Sequence, residues 1–168
     1  MGRKTAYLGL FAAAAMLLGY VESLIPVFVT VPGMKLGLAN LAVVLALYLY
    51  GGREAGAVSA VRIVLNAFLF GSLFSLAFSA AGGLISLAVM ILLKRTGRFS
   101  IVGVSIAGGV FHNVGQLFVA SFVVSNFRIF YYLTVLLVAG VVTGALIGVL
   151  AGEMEKRLKK IGKGSRKT

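Results

Sequence analysis

Apolar residues run along this chain in six long, nearly unbroken stretches, separated by short clusters of Lys, Arg, Gly and Pro. The runs are continuous and do not alternate with polar residues, so they predict membrane helices and not the strands of a closed barrel. The expected spans are roughly 6–24, 36–50, 55–70, 73–93, 101–124 and 130–152. The second and third are short for a hydrocarbon core of about 30 Å. The fold class expected is therefore an all-α integral membrane protein, with one domain of six transmembrane helices over residues 1–152 and a basic tail at 153–168.

Composition agrees. Of 168 residues 60% are hydrophobic, and the mean hydropathy is +1.06. The first apolar run lacks a small-x-small cleavage site and is followed by further spans, so no removed leader is expected. Cys is absent, which removes disulfides, thiol catalysis and Cys-ligated metal. The net charge of +12 would suggest nucleic acid in a soluble protein. Here most of the cations flank apolar runs, so the partner they imply is the lipid bilayer, and no nucleic acid is expected.

Those cations also orient the chain. Alternating the spans puts Arg3, Lys4, Arg53, Lys94, Arg95 and Arg98 on one side, together with Lys156, Arg157, Lys159, Lys160, Lys163, Arg166 and Lys167 of the tail. Only Lys35 and Arg128 fall on the other side. The positive-inside rule then places both termini in the cytoplasm. Residues 26–35 form the most unusual connection, because two prolines bracket a β-branched run that no helix interior accommodates. The segment reads as a flap over the outer mouth of the bundle, or as an interfacial connector.

Arg62 changes the picture most. It stands inside the third span, where a cation costs at least about 2.5 kcal/mol to insert and normally faces a polar interior. At about 1.5 Å per residue, Arg62 and His112 both fall near mid-membrane. Asn66 follows Arg62 by one helical turn, and Gln116 follows His112 by one turn. Asn113, Asn40, Lys35 and Glu22 complete the polar set at mid-depth or toward the outside. Below them the spans hold mainly Leu, Val, Ala and Gly. The asymmetry predicts a ligand pocket opening outward, with Arg62, Lys35 and His112 as donors and Asn40, Asn66, Asn113, Gln116 and Glu22 around them. Plainer roles stand beside each: Arg62 pairing with Glu22 or backbone carbonyls, His112 as a bonded core histidine, the amides as interhelical bonds, and Lys35 snorkelling.

Small residues supply packing faces. Gly140, Gly144 and Gly148 recur every fourth position on the sixth span, and Gly82-Gly83 and Gly108-Gly109 lie in the fourth and fifth. The first span carries Gly9-x-x-x-Ala13 and Ala15-x-x-x-Gly19, a smooth face for another helix of this protein or of a partner. Chemistry is sparse by contrast. Asp is missing from the chain, so no paired aspartates await magnesium and diphosphate. One His makes no metal site. No GxxxxGK loop is present to hydrolyse ATP. No enzyme activity, cofactor or metal is expected.

Several motifs together resemble one family. They are Pro-Gly-Met-Lys-Leu-Gly-Leu-Ala-Asn at 32–40, Val-Arg-Ile at 61–63, Ser-x-x-Gly-Gly at 79–83 and Val-Ser-Ile-Ala-Gly-Gly-Val-Phe-His-Asn-Val-Gly-Gln at 104–116. Over roughly residues 6–152 the chain resembles the Gx transporter family, also called heptaprenyl diphosphate synthase component I. That family in turn resembles the substrate-binding S-components of energy-coupling-factor (ECF) vitamin transporters. The resemblance implies six helices, an outward pocket, a flap between the first two spans, and partners comprising an ECF-type coupling protein and ATPases. It implies capture of a small anionic or vitamin-like molecule for uptake. The alternative is a membrane subunit associated with polyprenyl (heptaprenyl) diphosphate synthesis for quinones.

Overall fold

The computed structural model describes residues 2–24, 37–70, 73–124 and 127–164. Among them are six α-helices: α1 (Gly2–Ser23), α2 (Leu38–Leu49), α3 (Gly52–Phe70), α4 (Leu73–Thr96), α5 (Ile101–Val124) and α6 (Leu133–Gly164). No described residue is in a strand. α1, α4, α5 and α6 each contain a stretch long and apolar enough to cross a membrane. The flap at 26–35, with Lys35, lies outside the described residues.

α6 departs from expectation at both ends. It begins at Leu133, because Phe127–Tyr132 winds as a 3-10 helix. It also runs past Gly152 to Gly164, so the basic segment expected as a separate tail begins as a continuation of the helix. Lys156 pairs with Glu153 at 2.8 Å and Lys159 pairs with Glu155, the i,i+3 and i,i+4 spacings that support an exposed helix.

Glycines set the closest approaches. α5 and α6 run antiparallel, and Gly140, Gly144 and Gly148 stand against the backbones of Val110, Ile106 and Val102. A Cβ on any of the three would lie 2.7–2.9 Å from those atoms. On α4, Gly82 faces α5 and Gly83 faces α3. The small-residue faces expected from sequence thus bring these helices together inside the chain.

α2 is the central element. Its twelve residues span only about 18 Å, and eight of them are buried. It packs on α1, α3 and α6. Leu41 and Val43–Leu47 form a dry core with Ala55 and Val58 of α3, Met90 of α4, Val104 of α5, and Ile147 and Ala151 of α6. Leu8, Phe11 and Ile101 border the same core. The start of α1, the α2–α3 junction, the end of α4 and the start of α5 therefore share one end, the basic end of the bundle. The exterior is apolar: Leu10, Leu17, Phe68, Phe74, Leu84 and Phe122 are exposed, while Ser59, Ser86, Asn113 and Gln116 are buried. Apolar outside with polar groups inside is the arrangement lipid selects.

Candidate functional site

A helix as short as α2 would end inside a hydrocarbon core of about 30 Å, where its terminal N–H and C=O groups would need partners from the protein. Both ends receive a charge of the sign that suits the helix dipole. At the start, Glu22 of α1 accepts hydrogen bonds from the N–H of Gly37 (2.7 Å) and of Leu38 (3.1 Å). Gly37 sits at φ +75°, a left-handed conformation natural to glycine. At the far end, the Lys94 ammonium of α4 donates to the Leu47 carbonyl and stands 4.9 Å from the centre of the Tyr48 ring. The Ala46 carbonyl accepts from the N–H of Tyr50 (2.9 Å) and of Gly51 (3.1 Å).

The first polar cluster gathers around the Glu22 end. Gly19 precedes Glu22 by one turn on α1, and a Cβ on Gly19 would lie 2.9 Å from the Asn66 amide nitrogen and 3.6 Å from Ala39. Asn66 and Arg62 are one turn apart on α3, and the Glu22 carboxylate acts electrostatically on the Arg62 guanidinium. Arg62 Nε and Asn66 Oδ1 are buried and have no hydrogen-bond partner among the described residues. Asn40 is half-buried in the first turn of α2, its N–H bonded to the Gly37 carbonyl at 2.8 Å.

The second cluster lies across α4. A Cβ on Gly82 would meet the His112 carbonyl at 2.8 Å, the Gln116 Cγ at 2.9 Å and the His112 Cε1 at 3.0 Å. Gln116 Oε1 is buried without a partner. On the next residue, a Cβ on Gly83 would lie 2.7 Å from Ile63, the neighbour of Arg62. The glycine pair of α4 thus receives the Arg62-bearing helix on one side and the His112 and Gln116 side chains on the other.

Not every expected residue joins these clusters. Asn113 is buried and donates to the Leu136 carbonyl of α6 at 2.7 Å, so it serves the α5–α6 seam. Glu22 serves α2 as a cap. The expected docking face of α1 divides: Gly9 and Ala13 are exposed. Ala15 is fully buried and Gly19 packs on Asn66 and Ala39, so these two spend their surface inside the chain. The role of Lys94 as a cap has no local sequence signal, because its contact with Leu47 joins residues 47 positions apart.

Buried polar atoms are nearly always hydrogen-bonded in folded proteins. Arg62 Nε, Asn66 Oδ1 and Gln116 Oε1 depart from this among the described residues, as do the hydroxyls of Tyr48, Ser86 and Ser105. The guanidinium supplies a planar fork of donors suited to carboxylate or phosphate. The two amides can each present a donor or an acceptor. Among the described residues no group of His, Cys, Asp and Glu could hold a metal ion.

The heptaprenyl diphosphate synthase component I family matches residues 11–154, and the chain belongs to that family. No curated protein and no solved structure matches the chain.

Proposed function

We propose that this member of the heptaprenyl diphosphate synthase component I family is a non-catalytic membrane subunit of polyprenyl diphosphate metabolism, holding a small anionic ligand at Arg62. The observation that carries the reading is the half-buried Arg62, whose buried Nε and the buried Asn66 Oδ1 one turn away have no hydrogen-bond partner among the described residues. The family description supplies the metabolic setting. The absence of Asp supports a non-catalytic role, since no paired aspartates are available for magnesium and diphosphate; three of the four Glu serve the fold, Glu22 as the cap of α2 and Glu153 and Glu155 as partners of lysines. Prenyl transfer in this reading belongs to a separate, cytoplasmic component, for which this chain is the membrane partner.

A second reading is favoured by one observation. The polar clusters stand away from the basic end, and the α2 core closes that end with apolar side chains. A site closed below and polar above suits capture from the outside. That would make the chain an uptake subunit like the S-components of ECF transporters, and the exposed Gly9 and Ala13 a smooth face for a coupling protein.

Mass spectrometry of small molecules carried by the chain out of its own membranes decides between them. A prenyl diphosphate supports the first reading, and a vitamin-like or cofactor-like anion supports the second. Recovery of identical molecules from wild type and Arg62→Ala overturns both.

A further inference from the structure

The basic end of the bundle holds a cavity of about 430 Å³, lined by Leu47, Gly52, Arg53, Ile91, Lys94 and Arg95. It lies where α2 ends, α3 begins and α4 ends, on the far side of the dry core from Arg62. Its chemistry is mixed. Leu47 is fully buried behind the cavity, so the half-buried Ile91 and the bare Gly52 backbone are its apolar surface beside three cations. Gly52 packs closely there, since a Cβ on it would lie 3.0 Å from the end of the Ile91 side chain.

Three of the four Glu have partners elsewhere. Glu22 is at the other end of α2, and Glu153 and Glu155 are in ion pairs on α6. Glu54 folds back over Gly51, its Oε2 3.2 Å from the position of a Gly51 Cβ. Arg53 and Arg95 are exposed and have no ion-pair partner among the described residues. Lys94 gives one donor to Leu47 and faces Tyr48, whose hydroxyl is buried and unpartnered. Simple flanking cations of a membrane span need no cavity between them, and these three line one.

We propose that this cavity binds the phosphate head of an amphiphile, with the guanidiniums of Arg53 and Arg95 on the phosphate oxygens and the first methylenes of the tail on Ile91. Guanidinium forks match phosphate oxygens bidentately. The start of α3 adds the positive end of its dipole. An apolar surface beside the charges favours a phosphate that carries a tail over a free one. A phospholipid and a prenyl diphosphate share this chemistry.

The test titrates farnesyl diphosphate, and inorganic diphosphate as the tail-less probe, into the full chain in phosphatidylcholine nanodiscs, with empty discs as baseline. The expected result is saturable binding of farnesyl diphosphate, with inorganic diphosphate much weaker. Binding falls about thirtyfold in Arg53→Gln/Arg95→Gln, as for two lost phosphate-facing cations. The double variant keeps the wild-type helical content and melting temperature. Binding is unchanged in Arg157→Gln/Lys160→Gln, which removes the same charge from α6. Adding phosphatidylglycerol to the discs separates the sources: competition assigns the cavity to lipid headgroups, and its absence assigns it to the prenyl diphosphate. Equal losses in the α6 control, or none in Arg53→Gln/Arg95→Gln, overturn the proposal. Arg62→Ala keeps the two sites apart. If Arg62→Ala loses the binding and Arg53→Gln/Arg95→Gln keeps it, the cavity proposal fails and the Arg62 reading stands.

Discussion

Gly19 of α1 stands directly against Asn66 of α3, so close that a Cβ on Gly19 would lie 2.9 Å from the Asn66 amide nitrogen. The missing side chain lets the amide sit between the two helices, one turn from Arg62 and one turn below Glu22. A Gly19→Val variant has to push Asn66 aside. We expect a loss of about 1–3 kcal/mol, the usual range for overpacking, and loss of the Arg62-dependent ligand. Gly9→Val, two turns or more away on the same helix and with nothing within 4 Å, should leave the thermal melt unchanged. Equal melts for the two variants would contradict the packing.

Glu22 is the acceptor for two backbone N–H groups at the start of α2. Removing it leaves both without their partner, and Glu22→Ala should cost about 1–3 kcal/mol. Glu22→Gln retains one oxygen and should cost less. Lys94→Met tests the opposite end of the same helix and should also lower the melting temperature, since the Leu47 carbonyl loses its donor. The measurement is a melting series of the three variants in one detergent, and Glu22→Ala melting as the wild type would refute the cap.

The α5–α6 seam makes a sharper test because backbone atoms cannot move aside. A methyl group on Gly140 would lie 2.9 Å from Val110 Cα, and one on Gly109 would lie 2.6 Å from the Gly140 carbonyl oxygen. Either Gly→Ala change should separate the helices at a cost of about 1–3 kcal/mol. Gly103→Ala meets nothing nearer than 3.7 Å and should be neutral or slightly stabilising, as alanine favours helix. Unfolding curves of the three variants check the order.

Topology follows from the charges flanking the spans. Because the chain has no Cys, single cysteines at Thr5, Thr30, Thr96 and Ser165 need no background removal. Only Thr30 should react with a membrane-impermeant thiol reagent added to intact cells. Outside labelling at Thr96 or Ser165 would invert the orientation and, with it, the side from which Arg62 is reached.

Helix number and most boundaries were legible because long apolar runs leave the backbone no other solution in lipid. The spacing of Gly140, Gly144 and Gly148 announced a close helix contact, and Val102, Ile106 and Val110 provide it. The third span showed itself by its apolar run at 55–70, with Arg62 the exception inside it. What could not be read was pairing over distance. Glu22 and Lys94 look like ordinary residues near span ends, and only the fold reveals that both cap the short helix α2. Asn113 and Gln116 lie three residues apart on α5, yet one turns to α6 and the other to α4. Sequence spacing alone does not show which neighbour each faces. Arg53, Lys94 and Arg95 read as flanking charge because the cavity between them needs three helix ends to exist.

The central claim is that Arg62 is a ligand anchor and not scaffold. Native mass spectrometry of the chain released directly from the producing cells' membranes, run beside a thermal melt of the same samples, tests it. The account predicts a small anion on the wild type that is lost from Arg62→Ala and from Arg62→Lys, since a point charge cannot replace the fork. It predicts a binding loss of about 2–5 kcal/mol for Arg62→Ala. It also predicts an undiminished melt for that variant, because removing a mid-membrane cation relieves an insertion cost. The contradicting result is an Arg62→Ala protein that still carries the anion while its melt collapses.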